Sequence, residues 1–223
     1  MNTRYLPPPP VDDSIAYLEN EVEIDDIRSI RTHPLIQFVK RHVFGWDEGG
    51  IDVGLFATPV VAWHPSNRYL AVAGRYEVHI HRMDTGNWSK GLTHEFQRYI
   101  YCMQWSNASD GMLAVGTRHG IVLWSHLKSD DHEEFEAWAT FLQHPRRKAV
   151  TELQFCPQGR FIASASHGDP LIYLWDICSK QASPITAVGT SSPRHLAWSR
   201  EGLHLIRGDS DGSVTVHYTD RWN

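Results

Sequence analysis

Apolar and polar positions alternate in short runs along most of the chain, and the pattern is clearest across residues 150–177. A first apolar run ends at Phe155, because the Cys-Pro pair that follows cannot continue a β-ladder. A second run, rich in small residues, covers Phe161–Ser166, and a third covers Leu171–Trp175. Gly, Asp and Pro separate the runs, as in tight turns. The pattern predicts three short antiparallel strands, the last closed by Asp176.

The same pattern occurs four times after residue 58. The aromatic residues that end the first strand of each repeat are 42, 50 and 43 residues apart: Trp63, Trp105, Phe155 and Trp198. A period of about 40–45 residues with a Trp-Asp ending is typical of WD40 β-propeller blades. A polar insert, residues 128–136, accounts for the longer interval. The sequence therefore predicts an all-β fold, a WD40-type β-propeller over residues 58–223 with four visible blades. Outer strands are predicted around residues 88–93, 137–142 and 184–188.

Four visible blades raise the question of how the array ends. A blade buries its faces only against its neighbours, so an open array exposes two apolar faces. We expect the four blades to be part of a seven-bladed ring, which a longer chain or a second chain would complete. As an isolated piece, the array is expected to be unstable or prone to association.

Residues 1–57 lack the alternation and are predicted to form a mostly irregular N-terminal arm. Its proline run, residues 7–10, favours an extended polyproline helix. One short amphipathic helix is predicted after Thr32, a suitable N-cap. The apolar stripe of this helix recurs at helical spacing and consists of Leu35, Phe38 and Val39. The stripe either packs on the rim of the propeller or docks to a partner protein.

Composition narrows the function classes. The net charge is −5 and the pI is near 6.3, which argues against direct nucleic-acid binding. The three cysteines, Cys102, Cys156 and Cys178, form no CxxC pair, which predicts buried thiols in a reducing compartment. The first residues do not resemble a signal peptide, and no apolar run approaches the ~20 residues of a membrane span. We expect a soluble intracellular protein.

One group of polar residues in the third repeat predicts a buried network. In WD repeats, a His before the first strand and an Asp in a later turn form hydrogen bonds with a Ser and the strand Trp, which hold the blade together. The matching residues here are His144, Asp169, Trp175 and either Ser164 or Ser166. A His–Asp–Ser trio also invites a hydrolase interpretation. Because no GxSxG elbow is present, we predict a structural role and no catalytic residue.

Two further clusters have possible ligands. His79 and His81 alternate on one strand and therefore share a face, but no suitably spaced Cys or carboxylate accompanies them, so no metal or cofactor is predicted. The compact basic run Arg146, Arg147 and Lys148 lies in the loop entering the third blade, where propellers recognise partners. It could meet an acidic partner or a phosphorylated headgroup, or it is a solvated loop.

Several segments together resemble one family, the aladin family of WD-repeat nucleoporins. The segments that carry the resemblance are Ala62–Pro65, Gly120–Trp124, His144–Leu153, Ser164–Asp176 and Leu196–Ser199, with Trp222 and the proline-containing stretch Leu6–Pro10. The resemblance covers residues 58–223, about the first half of that family's propeller. It implies a non-catalytic scaffold of the nuclear pore complex, held at the nuclear envelope by other nucleoporins, among them a transmembrane nucleoporin. The alternative is a WD40 adaptor of another complex, such as a ubiquitin-ligase substrate receptor or a vesicle-coat subunit.

Overall fold

The predicted strand pattern is present in the computed structural model, which describes residues 60–74, 76–108, 111–128, 136–185 and 191–219. The N-terminal arm, with Leu35, Phe38 and Val39, lies outside the described residues. The strands of the described part, in chain order, are β1 (Val61–Trp63), β2 (Tyr69–Ala73), β3 (Glu77–Arg82), β4 (Leu92–Thr93), β5 (Cys102–Trp105), β6 (Leu113–Thr117), β7 (Gly120–Lys128), β8 (Glu136–Gln143), β9 (Val150–Phe155), β10 (Phe161–Ser166), β11 (Ile172–Asp176), β12 (Gln181–Ile185), β13 (Pro193–Trp198), β14 (His204–Asp209) and β15 (Val214–Tyr218).

Consecutive strands pair antiparallel into four sheets, and each sheet is one blade of a WD40-type propeller. Blade 1 is β1–β4, blade 2 is β5–β8 and blade 3 is β9–β12. Blade 4 contains three strands, β13–β15, within the described residues. The all-β propeller fold predicted from the repeat is therefore confirmed, whereas a seven-bladed ring stays a prediction.

One turn recurs between the first and second strands of blades 1, 3 and 4. In each turn the amide of the first residue donates to the carbonyl oxygen five residues later, at 2.9 Å. The turns are His64–Tyr69, Cys156–Phe161 and Ser199–His204. Their fourth residues have left-handed φ values of 58°, 75° and 70°, and they are Asn67, Gly159 and Gly202. Gly and Asn adopt this conformation at least cost, so the turn is encoded locally.

The core lies between blades, because each sheet is apolar on both faces. Three clusters of buried side chains fill the junctions between blades 1 and 2, blades 2 and 3, and blades 3 and 4. We call the face of a blade that packs on the preceding blade its leading face, and the opposite face its trailing face. The strand registers align four leading-face rows: Trp63–Leu70–His81, Trp105–Leu113–Trp124, Phe155–Ile162–Trp175 and Trp198–Leu205–His217.

Two of the three junctions contain the same kind of hydrogen bond, in which a tryptophan indole is the donor. The Nε1–H of Trp105 donates to the carbonyl oxygen of Ala62 in blade 1, at 3.0 Å. The Nε1–H of Trp198 donates to the carbonyl oxygen of Gln154 in blade 3, at 3.2 Å. Trp63, the corresponding residue of blade 1, is 53% exposed. The aromatic that ends each first strand therefore serves as a junction residue wherever a preceding blade is described.

The junction between blades 2 and 3 uses an amide side chain instead, since Phe155 has no polar atom. The Oε1 of Gln104 accepts the backbone N–H of Phe155 at 2.6 Å. Its Nε2 donates to the Oε1 of Gln154 at 2.7 Å. Gln104 thus supplies from blade 2 the cross-junction bond that an indole supplies at the other two junctions.

The structure corrects two details of the sequence-based description. The outer strand of blade 3 is Gln181–Ile185, three residues earlier than the predicted start at Pro184. The thiol of Cys178 is exposed, so the expectation of three buried thiols is wrong for this residue, although Cys156 is buried. Within the described ranges, no helix is long and apolar enough to cross a membrane.

Candidate functional site

The polar centre of blade 3 is the buried imidazole of His144, which lies in the loop between β8 and β9. The loop is anchored by the backbone N–H of His144, which donates to the carbonyl oxygen of His119 at 2.9 Å. The imidazole Nδ1 accepts the backbone N–H groups of Arg146 and Lys148, at 3.2 and 3.3 Å. His144 thereby stabilises the loop in which the basic run lies. Arg147, at the turn, has a left-handed φ of 54°.

The other imidazole nitrogen, Nε2, lies 3.1 Å from the Oγ of Ser166 in β10. Since Nδ1 accepts two backbone protons, the ring proton is on Nε2 and is donated to Ser166. Burial, opposed by the charge of Asp169 and assisted by the charges of Arg146 and Lys148, lowers the pKa of His144 to about 4. A neutral imidazole that donates to the serine cannot also accept that serine's proton. Both side chains are buried, and this geometry does not activate a nucleophile.

Asp169 lies in the turn between β10 and β11 and is fully buried. Its Oδ1 accepts a 2.8 Å ion-paired hydrogen bond from Arg146 and the backbone N–H of Leu171 at 3.1 Å. Its Oδ2 has no hydrogen-bond partner within the described residues. Burial, followed by the charge of Asp169, raises the pKa of the neighbouring Tyr173. Arg146, one residue of the basic run, therefore neutralises the buried carboxylate of Asp169.

Trp175 and Ser164 form a second buried hydrogen-bonded pair in blade 3. The indole Nε1–H of Trp175 donates to the Oγ of Ser164 at 2.8 Å, and both side chains are buried. The structure thus places all the predicted members in one blade, but four of them form two separate hydrogen-bonded pairs, and Asp169 bonds Arg146 and Leu171 instead. Ser166 pairs with His144, and Ser164 pairs with Trp175. The sequence could not separate the two serines, because alternation puts both on the same face of β10.

The rest of the basic run differs from Arg146 in its surroundings. Arg147 is exposed, and Lys148 is partly buried at the end of the loop. The side chain of Arg146 is 53% exposed even though it pairs with Asp169. The loop entering blade 3 therefore presents positive charge at the surface from a backbone that His144 holds in place.

Gln97 is a network residue that the sequence analysis missed. Its side chain is fully buried in the loop between blades 1 and 2. Its Oε1 accepts the indole N–H of Trp124 at 2.8 Å, and its Nε2 donates to the carbonyl oxygens of Leu92 and Tyr76, at 2.7 and 3.2 Å. In blade 2, a glutamine from the entering loop thus does what a serine does in blade 3. The alignment of Trp124 with Trp175 is a signal that could have prompted a search for its partner.

Arg207 is a second missed residue, and it lies in β14 with its side chain buried. Its Nε pairs with Asp209, and its two terminal nitrogens donate to the carbonyl oxygens of Pro170 and Ser191, both at 2.6 Å. The strand register places Arg207 at the position that Ser164 has in blade 3. An ion pair replaces the neutral network of blade 3, and Arg207 connects blade 4 to the turn that contains Asp169.

The histidine pair of blade 1 lies beside an aromatic ring. The ring centroids of His79 and His81 lie 6.5 and 4.5 Å from that of Trp88. The Nε2 of His79 is also 3.1 Å from the Oε1 of Glu77. Over the described ranges, no group of three or more His, Cys, Asp or Glu side chains is arranged to hold a metal ion. This geometry gives the two histidines ordinary packing roles.

Comparison with known proteins supports the repeat type. The WD40 family model, described as WD domain, G-beta repeat, matches residues 136–176. This segment runs from β8, the outer strand of blade 2, through β9–β11 of blade 3. The sequence repeat is therefore offset by one strand from the structural blade, and it contains the whole His144 network.

The similar proteins include several differently named proteins, each of which this chain matches over part of its length. Aladin of Arabidopsis thaliana is 24% identical over 183 residues, which is 73% of this chain and 41% of that protein. Human dynein axonemal intermediate chain 4 is 23% identical over 169 residues, covering 70% of this chain and 18% of that protein. The chain spans between 10% and 41% of the length of the curated relatives it matches.

A solved structure shares the fold at low sequence identity. The β-propeller domain of Cps50 (Swd1) from Myceliophteria thermophila superposes with a TM-score of 0.58 at 11% identity. The superposition covers 74% of this chain and 52% of that one. The chain therefore has WD40 repeats in a β-propeller structure, a fold that is generally a non-catalytic scaffold for protein–protein interaction.

Proposed function

We propose that this protein is a non-catalytic scaffold subunit of the nuclear pore complex, similar to aladin, which supports pore assembly and nucleocytoplasmic transport by docking other proteins. The observation that supports a scaffold role is the state of the His144 network. The imidazole of His144 and the indole of Trp175 are buried and hydrogen-bonded to Ser166 and Ser164, so they maintain the shape of the blade instead of facing a substrate. The aladin relative, which covers 73% of the chain, supports the choice of the nuclear pore.

Two surfaces are the candidates for docking. One is the basic loop Arg146, Arg147 and Lys148, which the His144 imidazole holds in a fixed conformation. The other is the apolar stripe predicted at Leu35, Phe38 and Val39. We infer that other nucleoporins are the partners, one of them a transmembrane nucleoporin that holds the protein at the nuclear envelope. The protein itself contributes no direct contact to nucleic acid.

The experiment that tests this function is localisation of the tagged protein, expressed at native level in its own cells. A punctate nuclear rim is expected. The double variant Phe38→Asp/Val39→Asp is expected to weaken the rim signal if the stripe docks to a partner, because a charged residue cannot enter an apolar contact without a large desolvation cost. Arg41→Asp, on the same predicted helix, is the control for added negative charge.

The basic loop is tested separately by charge reversal. Arg147→Glu changes an exposed residue and is expected to reduce rim localisation while the thermal midpoint of unfolding stays unchanged. Arg200→Glu, at an exposed turn of blade 4, is the matched control. Equal localisation of both variants and the parent protein would remove the loop from the docking surface.

The alternative function is a WD40 adaptor of another complex, such as a ubiquitin-ligase substrate receptor or a vesicle-coat subunit. The observation that favours an adaptor is the range of matched relatives, which includes a dynein intermediate chain as well as aladin. A diffuse or vesicular signal for the tagged protein would contradict the nuclear-pore proposal and support the adaptor.

A further inference from the structure

Three loops lie side by side at one end of the blade 2 sheet. They are the loop between β4 and β5, the turn between β6 and β7, and the loop between β8 and β9, and the strand pairings bring their ends together. Backbone hydrogen bonds also connect the loops directly. The N–H of Arg118 donates to the carbonyl oxygen of Arg98 at 3.2 Å. The N–H of His144 donates to the carbonyl oxygen of His119 at 2.9 Å.

Each of these loops carries an arginine, and the three arginines lie around one imidazole. Burial lowers the pKa of His119, and the positive charges of Arg118, Arg98 and Arg147 lower it further. Arg98 and Arg147 are exposed, whereas Arg118 and His119 are partly buried. We call these four residues the basic patch: Arg98, Arg118, His119 and Arg147.

The described residues do not neutralise the basic patch. None of its three arginines forms an ion pair within the described ranges. The adjacent Arg146 differs, because it pairs with the buried Asp169 at 2.8 Å. Glu95, in the same loop as Arg98, is exposed and makes no ion pair within those ranges. Like charges held close together repel, so a bound anion would remove an unfavourable interaction.

The fold holds the basic patch in shape before any ligand binds. The guanidinium carbon of Arg118 lies 5.5 Å from the centroid of the Tyr99 ring, within cation–π distance. The Tyr99 ring packs edge to face on Tyr76, with 6.3 Å between centroids. In the third loop, the N–H of Arg147 donates to the carbonyl oxygen of His144 at 2.9 Å. Loops that are already ordered lose little conformational freedom on binding, which favours affinity.

The position of the basic patch separates it from two other parts of a propeller chain. Further blades pack on the leading face of blade 1 or the trailing face of blade 4, whereas the patch lies at the strand ends of blades 1 to 3. The acidic insert joins Lys128 to Glu136 at the opposite end of β7 and β8. The nine residues of β7 span roughly 26 Å between the two ends. Neither a further blade nor the insert is therefore placed to supply the missing negative charge.

A phosphate group suits this arrangement better than a single carboxylate. A phosphorylated serine or threonine carries about −1.5 to −2 charges and three strong acceptor oxygens. Arginine binds such a group through two parallel hydrogen bonds, and arginine clusters recur in the recognition of phosphorylated motifs. The net charge of −5 disfavours approach to the anionic surfaces of nucleic acids and membranes. A protein segment is therefore the favoured carrier of the phosphate.

We propose that the basic patch binds a phosphorylated serine or threonine in a segment of a partner protein. The guanidinium groups of three loops share the phosphate oxygens, so that recognition requires all three loops and not only the basic loop of blade 3. Phosphorylation of the partner would then control docking to this face. The inference rests on the proposed docking function and names the ligand chemistry of one of its surfaces.

The direct test measures binding of a fluorescein-labelled glycine pentapeptide with a central phosphoserine to the full-length protein by fluorescence anisotropy. The matched controls are the same peptide with serine or with glutamate at the centre. Saturable binding is expected for the phosphoserine peptide, at least tenfold tighter than for the glutamate peptide. Equal binding of these two peptides, or binding of none, would overturn the proposal.

The protein variants remove one positive charge at a time. Arg98→Gln and Arg147→Gln change exposed side chains in two different loops, so the thermal midpoint of unfolding should stay unchanged. Each variant is expected to weaken binding of the phosphoserine peptide at least tenfold. Arg68→Gln is the matched control, because Arg68 is exposed in the turn between β1 and β2, at the opposite end of blade 1.

Two results with these variants would contradict the proposal. Unchanged binding by Arg98→Gln would show that the loop between β4 and β5 does not take part, and a site built from three loops would be wrong. An equal loss in Arg68→Gln would show that the peptide responds only to the overall charge of the protein. Parent-like binding by Arg68→Gln alone is the expected result.

Further measurements distinguish other occupants of the basic patch. Replacing the carboxylates of residues 19–26 with amides is expected to leave peptide binding unchanged. Tighter binding would mean that the chain's own carboxylates occupy the patch. Vesicles that contain a phosphorylated inositol lipid are expected not to displace the peptide, and displacement would identify a membrane as the ligand. Either of these contrary results would overturn the proposal of a phosphorylated partner.

Failure of this inference is separable from failure of the proposed function. If no phosphoserine peptide binds but the tagged protein shows a nuclear rim, the phosphate site fails while the scaffold function stands. If the peptide binds through the basic patch but the unsubstituted protein shows no rim, the nuclear-pore function fails while the phosphate site stands.

Discussion

The first three strands of blades 3 and 4 have the same order and register, but different chemistry pairs the buried polar side chains of the two blades. In blade 3, neutral hydrogen bonds connect Trp175 to Ser164 and His144 to Ser166. In blade 4, the position of Ser164 is taken by Arg207, which forms a buried ion pair. The position of Trp175 is taken by His217.

The difference shows that the backbone framework does not require one particular polar network. It accommodates different polar side chains at the same position, as long as most buried donors and acceptors find a partner. The network of blade 3 lies within its own strands and entering loop, whereas Arg207 bonds not only Ser191 of its own entering loop but also the carbonyl oxygen of Pro170 in blade 3. Blade 4 therefore depends more strongly on its neighbour, and the following four predictions test that comparison.

The largest effect is expected from Trp175→Ala in blade 3. The substitution leaves a large cavity beside Ile162 and removes the partner of Ser164, so the free energy of unfolding should fall by about 3–5 kcal/mol. Urea denaturation measures the change. Trp138→Ala is the matched control, because Trp138 is 68% exposed, and its effect should stay within about 0.5 kcal/mol. Comparable values for both variants would contradict the blade assignment.

The next effect is expected from Arg207→Met in blade 4. Methionine fills much of the space but leaves Asp209 as an unpaired buried carboxylate, so the free energy of unfolding should fall by about 3 kcal/mol. Arg160→Met is the control, since the Arg160 side chain is 60% exposed and its pair with Asp176 should contribute less than about 1 kcal/mol. A negligible effect of Arg207→Met would show that blade 4 does not depend on the ion pair.

The neutral imidazole of blade 3 should make stability depend on pH. The pKa of His144 is about 4 in the fold, below its ordinary value of 6.5, so the unfolded state binds more protons between these values. The stability that neutral His144 contributes is fully present above pH 6.5 and is lost as the pH falls towards 4. From pH 7.5 to pH 5 the loss attributable to His144 should be about 2 kcal/mol.

Burial also lowers the pKa values of His81, His119 and His217, so these residues contribute to the pH dependence as well. A substitution of His144 is therefore needed to isolate its own contribution. His144→Gln should be less stable than the parent protein at pH 7.5 but should lose less stability on acidification. Urea denaturation at pH 7.5, 6 and 5 gives both curves. Parallel curves for the two proteins would mean that His144 does not titrate in this range.

The smallest effect is expected at the junction between the two blades. Trp198→Phe keeps the ring contact but removes the indole bond to Gln154, so the free energy of unfolding should fall by about 1 kcal/mol. Trp63→Phe is the matched variant at the position without a described preceding blade, and its effect should stay within about 0.5 kcal/mol. A larger loss at Trp63 would show that its indole has a partner beyond the described residues.

Most of the inner strands could be predicted from the sequence, because their apolar residues alternate and their turns carry Gly, Asn, Asp or Pro. The sequence predicts the outer strand of blade 3 from Pro184 on, which is three residues too late. In the structure Pro184 pairs with Tyr173 inside β12, an edge strand that tolerates proline. In the candidate site, the sequence predicts His144, Asp169 and Trp175 as members. It does not predict that Ser164 pairs with Trp175 and Ser166 with His144.

The sequence by itself determined the repeat, the four blades and the turns between strands, because side-chain alternation and turn chemistry act over a few residues. Only the tertiary structure decided the polar partners. Arg207 meets the carbonyl of Pro170 across 37 residues of chain, and Gln97 meets Trp124 across 27. Such contacts depend on how neighbouring sheets are packed, which no local pattern encodes.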